Sequence, residues 1–106
     1  MKISKITRDY IRFDNGKQIE YYHEQNCCEC NYADFEAIDD LAKDFNFDEK
    51  LDFEECEYGF RFGNKPNNMF FIPCYSEQNG WYSKDINIIY NKKDVIKDLR
   101  CKLVEY

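Results

Sequence analysis

Polar and apolar residues alternate through Tyr10-Ile11-Arg12-Phe13 and again through Gln18-Ile19-Glu20-Tyr21, with Asp14-Asn15-Gly16-Lys17 between them. A period of two puts one set of side chains on each face of a strand, and Asn-Gly tolerates the positive φ of a tight turn, so this opening predicts a β-hairpin. Beyond it the period lengthens. Phe35, Ile38, Leu41, Ala42 and Phe45 recur at the spacing of one helix face, with Glu36, Asp39, Asp40 and Lys43 on the other. Asn31 as N-cap, and Asp34 and Glu36 near the positive end of the dipole, complete the prediction of an amphipathic helix over about residues 32–44.

From Leu51 the strand pattern returns. Leu51 to Glu54 and Gly59 to Phe62 alternate, a turn follows at Gly63-Asn64-Lys65-Pro66-Asn67-Asn68, and Met69 to Ile72 closes a second hairpin. A polar loop around Ser76 to Gly80 leads to Asp85–Tyr90 and Arg100–Glu105, both strand-like, while Lys93 to Leu99 fits a strand or a short helix. Without repeats, low-complexity tracts or linkers, residues 1–106 are expected to form one α+β domain. Its expected architecture is an antiparallel sheet of five to seven strands with one amphipathic helix against a face.

Nine Phe, nine Tyr and one Trp give a 12.9 kDa chain much apolar area to bury, which argues against intrinsic disorder. Area scaling for that mass predicts about 6,300 Å² of exposed surface. No apolar run approaches the length of a membrane span, and Met1 to Asp9 lacks the apolar stretch of a secretory signal, so the expectation is a soluble cytoplasmic protein. The net charge of -6 has the wrong sign for neutralising phosphates, which disfavours direct nucleic-acid binding. That charge is concentrated: Asp34 to Glu57 holds eleven acids and two bases. Such a block is either a solvated face or a surface complementary to a basic cleft.

Six cysteines in a reducing compartment are expected to be free thiols, and Cys28, Cys56, Cys74 and Cys101, each near aliphatic or aromatic residues, are expected to be buried. The densest candidate for chemistry is His23-Glu24-Gln25-Asn26-Cys27-Cys28-Glu29-Cys30. Cys27 and Cys30 have the gap of a zinc knuckle or redox pair, and His23 precedes Cys27 by four positions. A structural zinc would need a fourth ligand borrowed from Cys56, Cys74 or Cys101, so no metal or other cofactor is expected. Asp44, Asn46, Asp48, Asp52 and Glu55 match a calcium loop in spacing, but Glu49 stands where the turn needs Gly and strand patterns follow where a helix should.

Other enzymatic signatures are missing. The glycines are isolated, no nucleophile elbow occurs, and the adjacent acid pairs Asp39-Asp40 and Glu54-Glu55 point apart on any regular element. The loop from Cys74 to Ser83, by contrast, has the composition of an interface, with Tyr75, Trp81 and Tyr82 around Ser, Gln, Asn and Gly.

Two stretches, Tyr22-His23-Glu24-Gln25-Asn26-Cys27-Cys28-Glu29 with Tyr32 to Glu36, and Ile72-Pro73-Cys74-Tyr75-Ser76-Glu77-Gln78-Asn79-Gly80-Trp81-Tyr82-Ser83, resemble a family of small proteins encoded by phages and other mobile elements of low-GC Gram-positive bacteria. The family pattern has the His, the paired Cys and the later Cys-Tyr, but no Cys at position 30. The resemblance implies that His23, Cys27, Cys28 and Cys74 belong to one structural or functional centre; it attaches no activity. Small acidic proteins of such origin often bind and inhibit host machinery. The leading expectation is therefore a non-enzymatic inhibitor acting in the bacterial cytoplasm on a host protein with a basic surface, such as a nuclease or CRISPR effector. Asp39, Asp40, Asp44, Asp48, Glu54 and Glu55 would supply electrostatic recognition, and Tyr75, Trp81 and Tyr82 the anchors. The alternatives are a thiol or zinc protein centred on His23 and the cysteines, and a structural phage component; a homodimer is compatible with the lead.

Overall fold

In the computed structural model, which describes residues 1–25 and 27–105, the first hairpin forms as its pattern predicts. Strands β2 (Tyr10–Phe13) and β3 (Gln18–Tyr22) pair with Ile11 opposite Ile19, and Gly16 turns between them at φ 89°. Asn26 of the first motif, and Tyr106, lie outside the described residues. A strand the pattern did not announce, β1 (Ile3–Ile6), adds to the free edge of β2. On the other side β3 pairs with β8 (Asp85–Tyr90), which pairs with β9 (Lys93–Arg100), giving a five-stranded antiparallel sheet in the order β1-β2-β3-β8-β9. The ambiguous segment after Lys93 is thus a strand.

The second sheet is built on β7 (Asn68–Glu77), longer than the Met69–Ile72 run that suggested it. Its first half pairs with β6 (Gly59–Asn64), and β6 with the edge strand β5 (Asp52–Cys56). Its second half is flanked by β4 (Cys30–Ala33), antiparallel, and by β10 (Lys102–Val104), which is parallel to it. Cys101 lies between β9 and β10, where the chain leaves one sheet and joins the other, its N–H donating to the carbonyl of Lys84.

The expected α+β class is overturned. Strands hold 53% of the residues and helix 4%, with no helix of seven residues or more, so the protein is essentially all-β, built from two five-stranded sheets. In place of a helix over residues 32–44 there is one 3-10 turn, Phe35–Ile38. The expected N-cap, Asn31, is instead buried within β4, and Asp34 precedes the turn without a side-chain cap. Hydrogen bonds from Ala37 to Asp34, Asp39 to Glu36 and Leu41 to Ile38 close after three residues. Two forces account for the outcome. Pairing with β7 takes residues 30–33 into a sheet, and the dozen that remain are too few for a helix to be stable by itself. Asp39, Asp40 and Asp44 would also crowd the negative end of its dipole. The apolar spacing is met another way: Phe35, Ile38 and Ala42 are buried by successive turns, while Leu41 is 72% exposed.

The inward rows of both sheets form the core. Ile11, Phe13, Ile19, Ile86, Ile88 and Leu99 come from the first, Phe60, Phe62, Ile72 and Cys74 from the second. Phe47, from the long connection before β5, is wedged among rings: its centroid lies 5.6 Å from Phe13, 4.6 Å from Phe45, 5.6 Å from Phe62 and 5.5 Å from Phe70. The connection is also tied to the start of the chain, where Phe47 N–H donates to the Met1 carbonyl and the Met1 ammonium donates to the Phe47 carbonyl. The accessible surface is 6591 Å², close to the expectation for this mass. Among the described residues no helix is long and apolar enough to cross a membrane.

Candidate functional site

The two sequence motifs meet at the second half of β7. Alternation along that strand continues inward from Ile72 and Cys74 to Ser76 and Gln78, so polar side chains occupy positions of the core row and are fully buried. They are satisfied by one another and by β4. Ser76 Oγ donates to Asn31 Oδ1 at 2.5 Å, and Gln78 Nε2 donates to Ser76 Oγ at 2.6 Å. Asn31 Nδ2 and Gln78 Nε2 both donate to the Ser83 carbonyl, at 2.9 and 3.1 Å, and Gln78 Oε1 accepts the Tyr82 N–H at 2.7 Å. These bonds fold residues 79–83 back over the end of the sheet.

His23, at the exit of β3, completes the cluster. Its Nδ1 lies 3.0 Å from the Asp85 carbonyl oxygen and 3.3 Å from Asn31 Nδ2. Nε2 lies 3.6 Å from Oε1 of Glu29, whose side chain is fully buried. Glu29 Oε1 also accepts the backbone N–H of Cys27 at 3.2 Å. A buried carboxylate is costly unless it is hydrogen-bonded, and the Cys27 N–H supplies one such bond. An open cleft of about 280 Å³, lined by Tyr22, His23, Glu24, Ser83, Asp85 and Asp98, lies on the outer side of the ring.

The cysteines divide into two groups. Cys27 and Cys28 are exposed, against the expected burial of Cys28, and are joined to each other as a disulfide, against the expectation of free thiols throughout. Cys30 is exposed and Cys56 half-buried. Cys74 lies one inward position below Ser76, with its thiol on Cys101 and not on His23. Hydrogen bonding to Cys101 and burial together push the Cys74 thiol far above the usual range. The structure thus brings His23 and Cys27 to the same carboxylate but leaves Cys74 in the core. Among the described residues no group of three His, Cys, Asp or Glu side chains is arranged to hold a metal ion.

The acidic candidates lie elsewhere. Asp39, Asp40, Asp44 and Asp48 are exposed on the connection between β4 and β5 and make no ion pair among the described residues. On β5, Glu55 is exposed, whereas Glu54 pairs with Arg61 and, at 3.7 Å, with Lys65. Arg61 beside it holds the Glu54 carboxyl below its usual range. Trp81 is 84% exposed, Tyr82 half-buried, and Tyr75 lies on the outer face of β7 against Tyr32, centroids 5.8 Å apart. Asp48 is tied to Asn64 beside the start of β7 and Trp81 follows its end. At 3.3 Å per strand residue, the ten residues of β7 put Asp48 about 30 Å from the Trp81 end, whereas Asp39 and Asp40 follow the 3-10 turn that starts beside Pro73 in the same strand.

Glu29, Asn31, Ser76 and Gln78 were missing from the sequence-derived site. The signal that would have found them is the register of β7: once the strand is extended past Cys74, Ser76 and Gln78 fall on the inward row. No protein-family model, curated protein or solved structure matches the chain.

Proposed function

We propose that the protein is a non-enzymatic binding protein of phage or mobile-element origin that inhibits a host nucleic-acid-processing defence complex, such as a CRISPR effector, in the bacterial cytoplasm. Its recognition element is the connection between β4 and β5, where Asp39, Asp40, Asp44 and Asp48 would enter a cationic cleft shaped for phosphates. The supporting observation is the contrast among the acids. Glu49 is engaged by Lys17, and Glu54 by Arg61 and Lys65, while those four carboxylates project into solvent without a cationic partner among the described residues. In this reading the acidic connection is the primary contact, and Glu55, Tyr75, Trp81 and Tyr82 would be peripheral to it.

The test is cleavage of labelled DNA by a panel of purified RNA-guided effectors and restriction nucleases from Gram-positive hosts, with the protein added in excess. Inhibition of a panel member, lost in D39N/D40N/D44N/D48N and weakened by moderate salt, is expected. Undiminished cleavage across the panel, or equal inhibition by the quadruple variant, would overturn the reading.

A further inference from the structure

Adjacent cysteines joined to each other are unusual, and here their surroundings give them a consequence. Cys27 and Cys28 are exposed and so open to small-molecule thiols and disulfides, unlike Cys74 and Cys101, which are fully buried. The backbone of Cys27 is hydrogen-bonded on both of its sides, and on its N–H side to the buried Glu29. The Cys27 N–H donates to Glu29 Oε1 at 3.2 Å, and the Cys27 carbonyl accepts from Gln25 Nε2 at 3.1 Å. The same Glu29 oxygen faces His23 Nε2 at 3.6 Å. The ring that the two cysteines close includes the Cys27 Cα, so closing or opening it changes the torsions available there, and with them the direction of the Cys27 N–H that reaches the carboxylate.

We infer that Cys27 and Cys28 form a reversible vicinal dithiol/disulfide couple that exchanges with small-molecule thiols and disulfides and whose oxidation state is transmitted through the Cys27 N–H to the buried His23 and Glu29 pair. In the oxidative direction one thiolate attacks a small-molecule disulfide, forming a mixed disulfide and releasing the first small thiol. The neighbouring thiolate then attacks the cysteine sulfur of that mixed disulfide and expels the second. Two electrons and two protons pass from the cysteines to the small-molecule disulfide, which becomes two thiols. Cys30, exposed at the start of β4, is the internal competitor for either sulfur. This inference is independent of the acidic connection and stands or falls separately from it.

The experiment equilibrates the full chain in glutathione buffers of graded reduced-to-oxidised ratio, quenches with acid, alkylates and maps peptides by mass spectrometry. In oxidising buffer the expected product is lighter by two hydrogen atoms, with Cys27 and Cys28 protected and linked to each other, and it returns to the dithiol in excess reduced glutathione. Alkylation of both residues at every ratio, a bond that maps to Cys30, or a glutathione adduct that never closes would each overturn the couple. Transmission is read from His23, the single histidine of the chain, by imidazole NMR. Its signals should differ between the two states of the wild type and be insensitive to redox buffer in C27S/C28S. Identical signals in both wild-type states would refute the coupling.

Discussion

Nε2 of His23 stands 3.6 Å from Oε1 of Glu29 beneath the loop that carries Trp81, with both side chains nine-tenths or more buried. This pair joins the exit of the first hairpin to the start of β4, and through Asn31 it is connected to β7. Removing the imidazole takes the ring from beside a buried carboxylate that keeps its bond from the Cys27 N–H. His23→Ala should therefore cost about 1–3 kcal/mol, the scale for losing one polar neighbour of a buried group. The double variant H23A/E29Q should be more stable than H23A alone, because the buried group beside the space left by the imidazole is then neutral. Urea unfolding of the wild type, both single variants and the double variant measures the coupling; costs that simply add would show that the two residues act independently.

Phe47 and Leu41 separate the observed connection from an amphipathic helix. Phe47 touches four rings, so Phe47→Ala should cost about 3–5 kcal/mol. For a domain of this size that lowers Tm by roughly 15 °C or more. Leu41, 72% exposed, should tolerate Ala or Ser within about 0.5 kcal/mol. A large loss from Leu41→Ala in thermal melts would restore the helix.

Two glycines with positive φ should respond differently to a methyl group. At Gly16 (φ 89°) an added Cβ meets nothing within 4 Å, so Gly16→Ala costs only the backbone strain, about 1–2 kcal/mol. At Gly63 (φ 146°) the same Cβ would lie 2.0 Å from the Asn68 carbonyl oxygen of the neighbouring strand. Gly63→Ala must break the β6 to β7 turn and should cost more than about 3 kcal/mol. Chemical denaturation of the two variants side by side checks the order.

Alkaline pH should unfold the protein through its tyrosines. Burial, then the Glu77 carboxylate that accepts its hydroxyl, raise Tyr32 to about 12; burial, then the Glu49 charge, raise Tyr90 to about 12. Both values lie above the ordinary 10.0 of a tyrosine. Between the two values the unfolded chain has lost these protons while the folded chain keeps them, so the contribution is fully present below pH 10 and disappears as pH rises through 12. Tm measured across this window should fall, and Tyr32→Phe and Tyr90→Phe should each flatten the fall. An unchanged slope in both variants would assign the alkaline transition to other groups.

Alternation by itself determined most of the strands. Ile11 and Ile19, Phe60 and Phe62, and Ile86 and Ile88 are spaced by a local rule, the period of an extended chain, which neighbouring residues impose without help from the rest of the fold. Tertiary structure decided the remainder, because there the partners that satisfy the backbone and buried polar groups lie far away in sequence. Residues 30–33 became a strand and not the start of a helix because β7, some forty residues away, offered them an antiparallel ladder and an inward row. Likewise Ser76 and Gln78 look like loop residues in sequence; they are core residues because Asn31 and the Ser83 carbonyl satisfy them at that depth. The pairing of His23 with Glu29 was legible only as a neighbourhood, since six residues of separation say nothing of two side chains turning toward one buried point. That convergence is a property of the packed sheets, where a carboxylate excluded from water must find its partner.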